Sequence, residues 1–316
     1  MREKRPILFD TDIGSDVDDA LALALILTRS EDLELVAVTT VAGDPPLAAR
    51  IAASLLGAYG RTEVEVAAGE SHPLLRANSF NAFGHEARCV VVGPRAEIVS
   101  EPAPQRIVRA ARETPGLEIV LVGPLTNLAR ALALDPELPQ RVAGITVMGG
   151  HVREAKIGDF VCPPGIDYNL CSDPEASVAV LGAGFRTRLV TADVTLQTWL
   201  REGELDPIAR AGPLGRALVD QTHLWTPLQR RIFTALGGTL APDNVAFLHD
   251  PLTVWSLFDE TPFHFEELRI VPTIEKGVLR THEVEAGAGL GAAMRVATAV
   301  DAEVASRGIA AALAEI

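Results

Sequence analysis

The chain contains little cysteine and few aromatic residues. Its 316 residues include three cysteines, Cys89, Cys162 and Cys171, an odd number whose spacing fits no metal site. Free thiols are typical of a reducing compartment, so we expect a cytoplasmic protein. Aromatic residues make up only 5% of the chain, and most of them are therefore expected in the core rather than in a binding site.

Basic residues are also scarce, and a long apolar run is missing. Lysine and arginine total 28 against 42 aspartate and glutamate residues, which gives a formal net charge of -14. A chain of this charge repels polyanions, so we expect neither nucleic acid nor an anionic membrane as partner. The longest apolar run, residues 20–27, is too short to span a membrane, and the short apolar run near the N-terminus does not predict a signal peptide. The expected partner is a small, neutral substrate.

Short apolar segments alternate with helical segments along the whole chain. Strands are predicted at 7–9, 33–41, 64–68, 117–123, 145–150, 188–194 and 268–271, and helices at 18–28, 46–59, 107–113, 125–134, 173–181, 214–236 (broken near Pro227) and 249–258. Residues 71–94 and 151–168 are predicted to be irregular, and 295–312 to hold a strand and a helix. This alternation favours an α/β fold with an open, mostly parallel sheet and helices on both faces. Without a linker or repeat, we expect one domain over residues 1–316.

The most informative segment is the acidic stretch between the first strand and the first helix. Asp10, Asp12, Asp16, Asp18 and Asp19 lie within ten positions, and residues 7–25 contain neither lysine nor arginine. Aspartates at a helix start cap free N–H groups, which would account for Asp18 and Asp19 but not for Asp10 and Asp12 at the strand end. Crowded carboxylates repel one another. The simplest counter-charge is a hard divalent cation with oxygen ligands.

Polar residues also follow several later strands. In open parallel sheets the ligand binds beyond the carboxyl ends of the strands. The polar or small residues predicted at those ends, or in later elements beside them, are Thr39, Thr40, Gly43, Asp44, Thr126, Asn127, Met148, Gly149, Asp193, His249 and Asp250. Their repetition predicts one site at this edge of the sheet.

The ordered motifs of the chain resemble the inosine–uridine nucleoside hydrolase family. They are DTDIGSDVDDALAL, VTTVAGD, VGPLTNLA, VMGG, DYNLCSDPEA and FLHDPLTV, and together they extend over nearly the whole chain. The resemblance implies an open α/β sheet, a bound calcium ion, and cleavage of the N-glycosidic bond of ribonucleosides to ribose and free base. It also implies a homodimer or homotetramer.

The resemblance further implies a catalytic base and a set of metal ligands. Asp12 matches the catalytic base, which also binds the metal. Asp19 and Asp250 match carboxylate ligands, and Thr126 matches the residue that offers its backbone carbonyl. Asp12 would take a proton from the attacking water, and the ion would hold that water and the ribose hydroxyls.

Substrate contacts are implied at other positions. Asp18 matches a residue that binds the ribose hydroxyls, but the acidic loop is two residues longer than the family pattern, and Asp16 is an alternative for this role. The other matching positions are Asp44 (where the family has Asn), Met148, Asp167 (where the family has Glu), Asn169 and His249. His249 matches the histidine near the leaving base and is a second catalytic candidate. Candidates for stacking on the base are Phe83, His85, Tyr168, Trp225 and Trp255.

Two other classes are compatible with parts of the acidic stretch. A haloacid-dehalogenase-like phosphatase also opens with two aspartates after a strand, but here Gly14 stands where Thr or Val is required. A non-catalytic calcium-binding protein with an EF-hand loop would need Glu at the position of Leu21 and a helix before the loop. The nucleoside hydrolase interpretation is preferred, with the identity of the base left open.

Overall fold

The computed structural model describes residues 4–75, 80, 83–165 and 167–316. Its strands are β1 (Arg5–Thr11), β2 (Leu33–Thr40), β3 (Glu65–Ala68), β4 (Ile98–Val99), β5 (Glu118–Leu121), β6 (Gly144–Met148), β7 (Ala155–Ile157), β8 (Phe160–Cys162), β9 (Thr187–Val190), β10 (Trp199–Arg201), β11 (Asn244–Phe247), β12 (Phe263–Glu275), β13 (Val278–Val284) and β14 (Ala292–Val300). Ten of them form one sheet in the order β13-β12-β14-β9-β6-β5-β1-β2-β3-β4. In this sheet β12 alone runs opposite to the other nine strands, so the predicted mostly parallel sheet is confirmed.

Twelve α-helices lie within the described residues. They are α1 (Asp18–Thr28), α2 (Pro45–Tyr59), α3 (Ala103–Glu113), α4 (Thr126–Leu134), α5 (Leu138–Arg141), α6 (Tyr168–Ser172), α7 (Pro174–Leu181), α8 (Ala192–Thr195), α9 (Leu205–Arg210), α10 (Pro213–Ala235), α11 (His249–Trp255) and α12 (Ala302–Leu313). None of these described helices has the length and apolar character needed to cross a membrane.

Apolar side chains pack on both faces of the sheet. Successive strand residues point to opposite faces, so Ile7 and Phe9 of β1 join the core beneath α1, α2 and α11, whereas Leu8 joins the core beneath α3, α4 and α7. All three are fully buried. This alternation confirms that helices cover both faces.

The strand order places a crevice beside β1. The chain builds β1 to β4 towards one edge and then returns to β5 on the other side of β1. The connections leaving β1 and β5 therefore lead in opposite directions, and such a switch point is where open α/β sheets bind ligands. The acidic stretch after β1 lies at this point.

Some predicted elements differ from the observed ones. Helix α1 has the predicted bounds, but α10 continues through Pro227 instead of breaking there, since the helix buries Trp225 and Gln229 on either side of that proline. The segment 151–168, predicted to be irregular, contains the β7–β8 hairpin. The strand predicted at 188–194 ends at Val190, because the chain turns into α8.

Candidate active site at the carboxyl edge of the sheet

The turn between β1 and α1 arranges the aspartates in different environments. Asp16 is half-buried, and its Oδ1 accepts the backbone N–H of Val17 at 2.6 Å and of Asp18 at 3.4 Å. Asp16 therefore binds backbone N–H groups of the turn that leads into α1, whose N-cap residue is Val17. Thr11, at the end of β1, donates its hydroxyl to Asp19 Oδ1 and accepts the N–H of Ile13 at 3.2 Å.

Three buried carboxylates meet beyond this turn. Asp18, Asp19 and Asp250 each place one oxygen within 4.8 Å of the others, and α1 and α11, which carry them, pack against each other. Each of the three side chains is less than 5% exposed. Among the described residues no salt bridge reaches any of them.

Burial and mutual repulsion favour the protonated form of this group. Burial raises the pKa of Asp18 to about 7, although the N–H of Asp250 stabilises its carboxylate. Burial, followed by the charges of the neighbouring aspartates, raises the pKa of both Asp19 and Asp250 well above the usual range. A cluster of this kind is stable at neutral pH when a cation lies among the carboxylates. The all-oxygen donor set fits a hard divalent cation.

Asp12 connects this carboxylate cluster with an open cleft. It is half-buried, and burial together with the charge of Asp18 raises the pKa of its carboxyl group to about 7. The β5–α4 loop approaches it so closely that a Cβ on Gly123 would lie 2.9 Å from Asp12 Oδ1. The cleft has a volume of about 210 Å³ and is lined by Asp12, Ile13, Ser15, Ala42, Gly43, Asp44, Leu47, Ala48, Ile51, Glu86 and Tyr168. Asp12 thus lies where a bound molecule meets the cluster.

Thr126 lies at the first position of α4, fully buried. Its hydroxyl donates to Asp173 Oδ2 at 2.7 Å, and the same oxygen accepts the N–H of Leu74 at 2.8 Å. The hydroxyl proton of Thr126 is therefore engaged by Asp173, and the backbone carbonyl is the group that the family resemblance implies as a metal ligand.

The residues predicted to hold the sugar lie around the end of β6. Asn169 Nδ2 donates to the carbonyl oxygens of Val122 at 2.6 Å and Met148 at 3.3 Å. Asp167 accepts the N–H of Leu170 at 2.8 Å and caps α6, and burial raises its pKa to about 6. Asp167, Asn169 and Met148 are thus brought together in the structure.

Asp44 has a different position. It is exposed and caps α2 by accepting the N–H of Leu47 at 3.0 Å, while also lining the cleft. His249 begins α11, where its Nδ1 lies 2.6 Å from Thr195 Oγ1. Burial lowers the pKa of this imidazole to about 4, so it is neutral at physiological pH.

The aromatic candidates fall into three groups. Tyr168 lines the cleft and is 43% exposed. Phe83, His85 and Trp225 contact one another, with the Phe83 and Trp225 ring centroids 5.5 Å apart. Trp255 is buried and packs on Phe258 with a 4.9 Å centroid distance; it belongs to the core rather than to the cleft.

Three buried polar residues of this region, Asp10, Asn127 and Asp173, make hydrogen bonds that the sequence did not predict. Asp10 accepts hydrogen bonds from Thr39 at 2.5 Å and Asn127 at 2.8 Å, and Asp173 holds Thr126. In the sequence, Asn127 directly follows Thr126, and Asp173 begins a helix with an Asp-Pro pair. Neither feature indicates which residue is the hydrogen-bond partner.

Comparison with known proteins identifies the family. A model of the inosine-uridine preferring nucleoside hydrolases matches residues 7–307. The chain is 29% identical over 275 residues to the probable uridine nucleosidase 2 of Arabidopsis thaliana, covering 84% of this chain and 81% of that protein. It is 31% identical over 271 residues to the pyrimidine-specific ribonucleoside hydrolase RihA of Shewanella woodyi, covering 81% and 80%.

Solved structures share the fold over the whole length. A plant nucleoside hydrolase superposes with a TM-score of 0.83 at 24% identity, covering 99% of this chain and 100% of that one. A purine-preferring ribonucleoside hydrolase from Gardnerella vaginalis superposes with a TM-score of 0.81 at 25% identity, covering 98% of each chain. The chain therefore belongs to the inosine–uridine preferring nucleoside hydrolase family and is an enzyme that hydrolyses the N-glycosidic bond of ribonucleosides.

Proposed function

We propose that this hydrolase depends on calcium and uses Asp12 as its general base. The observation that carries the proposal is the group of three buried carboxylates, Asp18, Asp19 and Asp250, without a salt bridge among the described residues and next to a cleft that Asp12 lines. Uncompensated negative charge at the switch point of the sheet is suited to a cation and to a substrate that becomes positive as it reacts.

The ligands we propose are the carboxylates of Asp12, Asp19 and Asp250 and the backbone carbonyl of Thr126, with Asp18 beside them. Carboxylate and carbonyl oxygens in this number favour Ca²⁺, which takes six to eight oxygen ligands, over Mg²⁺, which keeps several waters. When bound, the ion supplies a fixed positive charge that increases the acidity of a water molecule and orients sugar hydroxyls.

Asp12 is proposed to accept a proton from the attacking water. Asp12 lines the cleft, and Gly123 of the β5–α4 loop leaves no room for a Cβ beside its carboxylate and backbone nitrogen. A glycosidic bond breaks through a transition state in which the sugar becomes positively charged. The surrounding carboxylates stabilise that charge, and a positioned general base typically contributes about 10²–10⁴-fold in rate.

The sugar is proposed to be held at both ends. Asp18 is assigned to the ribose hydroxyls in preference to Asp16, because Asp18 lies in the buried carboxylate group with Asp19 and Asp250, whereas Asp16 does not. Asp167 and Asn169, beside Met148, are assigned to the opposite end of the sugar. Asp44 is assigned to the rim of the cleft, where its carboxylate disfavours anionic substrates such as nucleotides.

His249 is proposed to act on the departing base as a hydrogen-bond donor. Burial keeps the imidazole neutral, and its contact with Thr195 engages Nδ1. With the proton on Nε2, a neutral ring donates to a base nitrogen without a prior protonation step. We assign Tyr168 to stacking on the base, because it lines the cleft.

The test is a panel of uridine, cytidine, inosine, adenosine and their 2′-deoxy forms. Release of free base is measured by chromatography after treatment with a chelator and again after calcium is restored. We expect hydrolysis of ribonucleosides only, lost on chelation and recovered with Ca²⁺. Unchanged turnover in excess chelator would overturn the calcium assignment.

The remaining proposals concern the setting of the enzyme. We propose a homodimer or homotetramer that acts in nucleoside salvage in the cytoplasm, consistent with three free cysteines. The names of its relatives include both pyrimidine-specific and purine-preferring enzymes, so the panel also decides the base preference. Family membership favours this function over a phosphatase or a non-catalytic calcium-binding protein.

A further inference from the structure

Asn127 joins three neighbouring strand ends to the start of α4. Its Nδ2 donates to Asp10 Oδ2 at 2.8 Å and to the carbonyl oxygen of Thr40 at 3.0 Å. Its Oδ1 accepts the N–H of Glu70 at 3.0 Å. Asp10 belongs to β1, Thr40 ends β2, and Glu70 follows β3. The side chain thus uses both donor protons and its acceptor, and it is fully buried.

Gly69 leaves the space that Asn127 occupies. A Cβ at Gly69 would lie 2.2 Å from Asn127 Oδ1, 2.6 Å from its Nδ2 and 2.6 Å from the carbonyl oxygen of Thr40. The backbone of Gly69 does not adopt the left-handed conformation. Glycine is therefore required at position 69 because a side chain would collide with the Asn127 amide group, and not because of its backbone conformation.

Asn127 and its partner Asp10 are both close in sequence to residues of the proposed site. Asp10 precedes Asp12 by two residues, and Thr126 is the neighbour of Asn127. The hydrogen bond to Asp10 spans the boundary between β1 and the β5–α4 connection, which is the switch point of the sheet. Asn127 therefore links the β1 segment that leads to Asp12 with the helix start that carries Thr126.

We propose that Asn127, in the space left by Gly69, is a positioning residue that fixes Asp12 against Thr126 for calcium binding and proton transfer. This inference rests on the proposed function, which assigns Asp12 and Thr126 to the metal. Asn127 itself contacts neither substrate nor metal in this assignment. Its effect follows from geometry, because a displacement of about 1 Å of a reacting group reduces rate by up to about 10²-fold.

The test compares Gly69→Ala with Gly203→Ala. Gly203 lies in an open position, where an added methyl group would meet nothing within 4 Å beyond its own local backbone. It is outside the proposed site, so its variant controls for the glycine change itself. Steady-state kinetics on the best nucleoside of the panel, thermal unfolding, and calorimetric titration of the metal-free proteins with Ca²⁺ are measured for both. For Gly69→Ala we expect kcat to fall about 10- to 100-fold and Ca²⁺ affinity to fall about 10-fold or more, while Gly203→Ala keeps both.

If Asn127 had a purely structural role, Gly69→Ala would lower the melting temperature but keep kcat per folded molecule and Ca²⁺ affinity within twofold of wild type. That result would overturn the proposal. If Gly69→Ala does not fold, Asn127→Asp decides by the same two readouts, because it keeps the volume of the side chain and replaces the donors by an acceptor. The Asp12→Asn variant distinguishes a failure of the proposed function from a failure of the positioning role. Its full activity would overturn the proposed function, whereas an inactive Asp12→Asn with an unaffected Gly69→Ala would overturn only the positioning role.

Discussion

Removing the metal and changing the pH should reveal the charge repulsion in the carboxylate cluster. In the metal-free protein, burial raises the folded-state pKa of Asp18 from 3.8 to about 7. At a pH between these two values the folded protein therefore keeps a proton that the unfolded chain has released. The contribution of Asp18 to the free energy of unfolding is therefore fully present below about pH 4 and is lost as the pH rises through about 7.

The size of the effect follows from this shift. About three pKa units correspond to about 4 kcal/mol for one carboxyl group, a large part of the 5–15 kcal/mol that typically stabilises a protein. Because Asp18, Asp19 and Asp250 repel one another, their contributions are shared rather than additive. Calcium at about 100 times its dissociation constant adds about 2.7 kcal/mol, or roughly 4 °C in melting temperature for a chain of 316 residues.

The assay is thermal unfolding in chelator and in excess Ca²⁺, at pH 5 and at pH 7.5. Comparing the two at each pH cancels the titration of groups elsewhere in the chain. We expect the gain from calcium to be small at pH 5, where protons compete for the carboxylates, and about 4 °C at pH 7.5. Asp250→Asn should unfold in chelator at pH 7.5 no earlier than wild type, because it relieves repulsion, yet gain little from calcium.

The control is Asp206→Asn, whose carboxylate is 87% exposed and outside the site; it should behave as wild type. An equal calcium gain at both pH values would refute the reasoning. So would an Asp250→Asn variant that is markedly less stable than wild type in chelator, since that result would mean that the carboxylates stabilise the metal-free fold.

Three further predictions concern catalysis and substrate choice. Asp12→Asn should lower kcat by about 10²–10⁴-fold with little change in melting temperature, measured as base release; near wild-type rates would rule out Asp12 as the base. Gly123→Ala should also lower kcat, because its Cβ would lie 2.9 Å from Asp12 Oδ1, and an unaffected rate would show that this loop does not position Asp12. Hydrolysis of 2′-deoxynucleosides should be far slower than that of ribonucleosides, since they lack one of the hydroxyls assigned to the ion and Asp18; equal rates would contradict that assignment.

Local sequence predicted the elements that carry the site. The bounds of α1 were predicted correctly, because an acidic start precedes an apolar run. The mostly parallel sheet followed from continuous apolar strands alternating with helices. By contrast, β13 was missed, since this edge strand mixes charged and apolar residues and resembles a loop in sequence.

The contacts between distant segments could not be predicted in the same way. That Asp250 joins Asp18 and Asp19 depends on α11 packing against α1. The hydrogen bonds of Asn127 depend on the order β5-β1-β2-β3, and strand order is not contained in any single motif. The resemblance to a family supplied candidate residues, whereas the structure supplied their neighbours.

The most direct test of the central claim is calorimetric titration of the metal-free protein with calcium at pH 7.5. We expect one ion bound per chain, and at least a tenfold loss of affinity when Asp19 is changed to Asn. Binding that Asp19→Asn leaves intact, or no binding to the wild-type protein at all, would contradict the claim that the carboxylates beyond β1 hold a calcium ion.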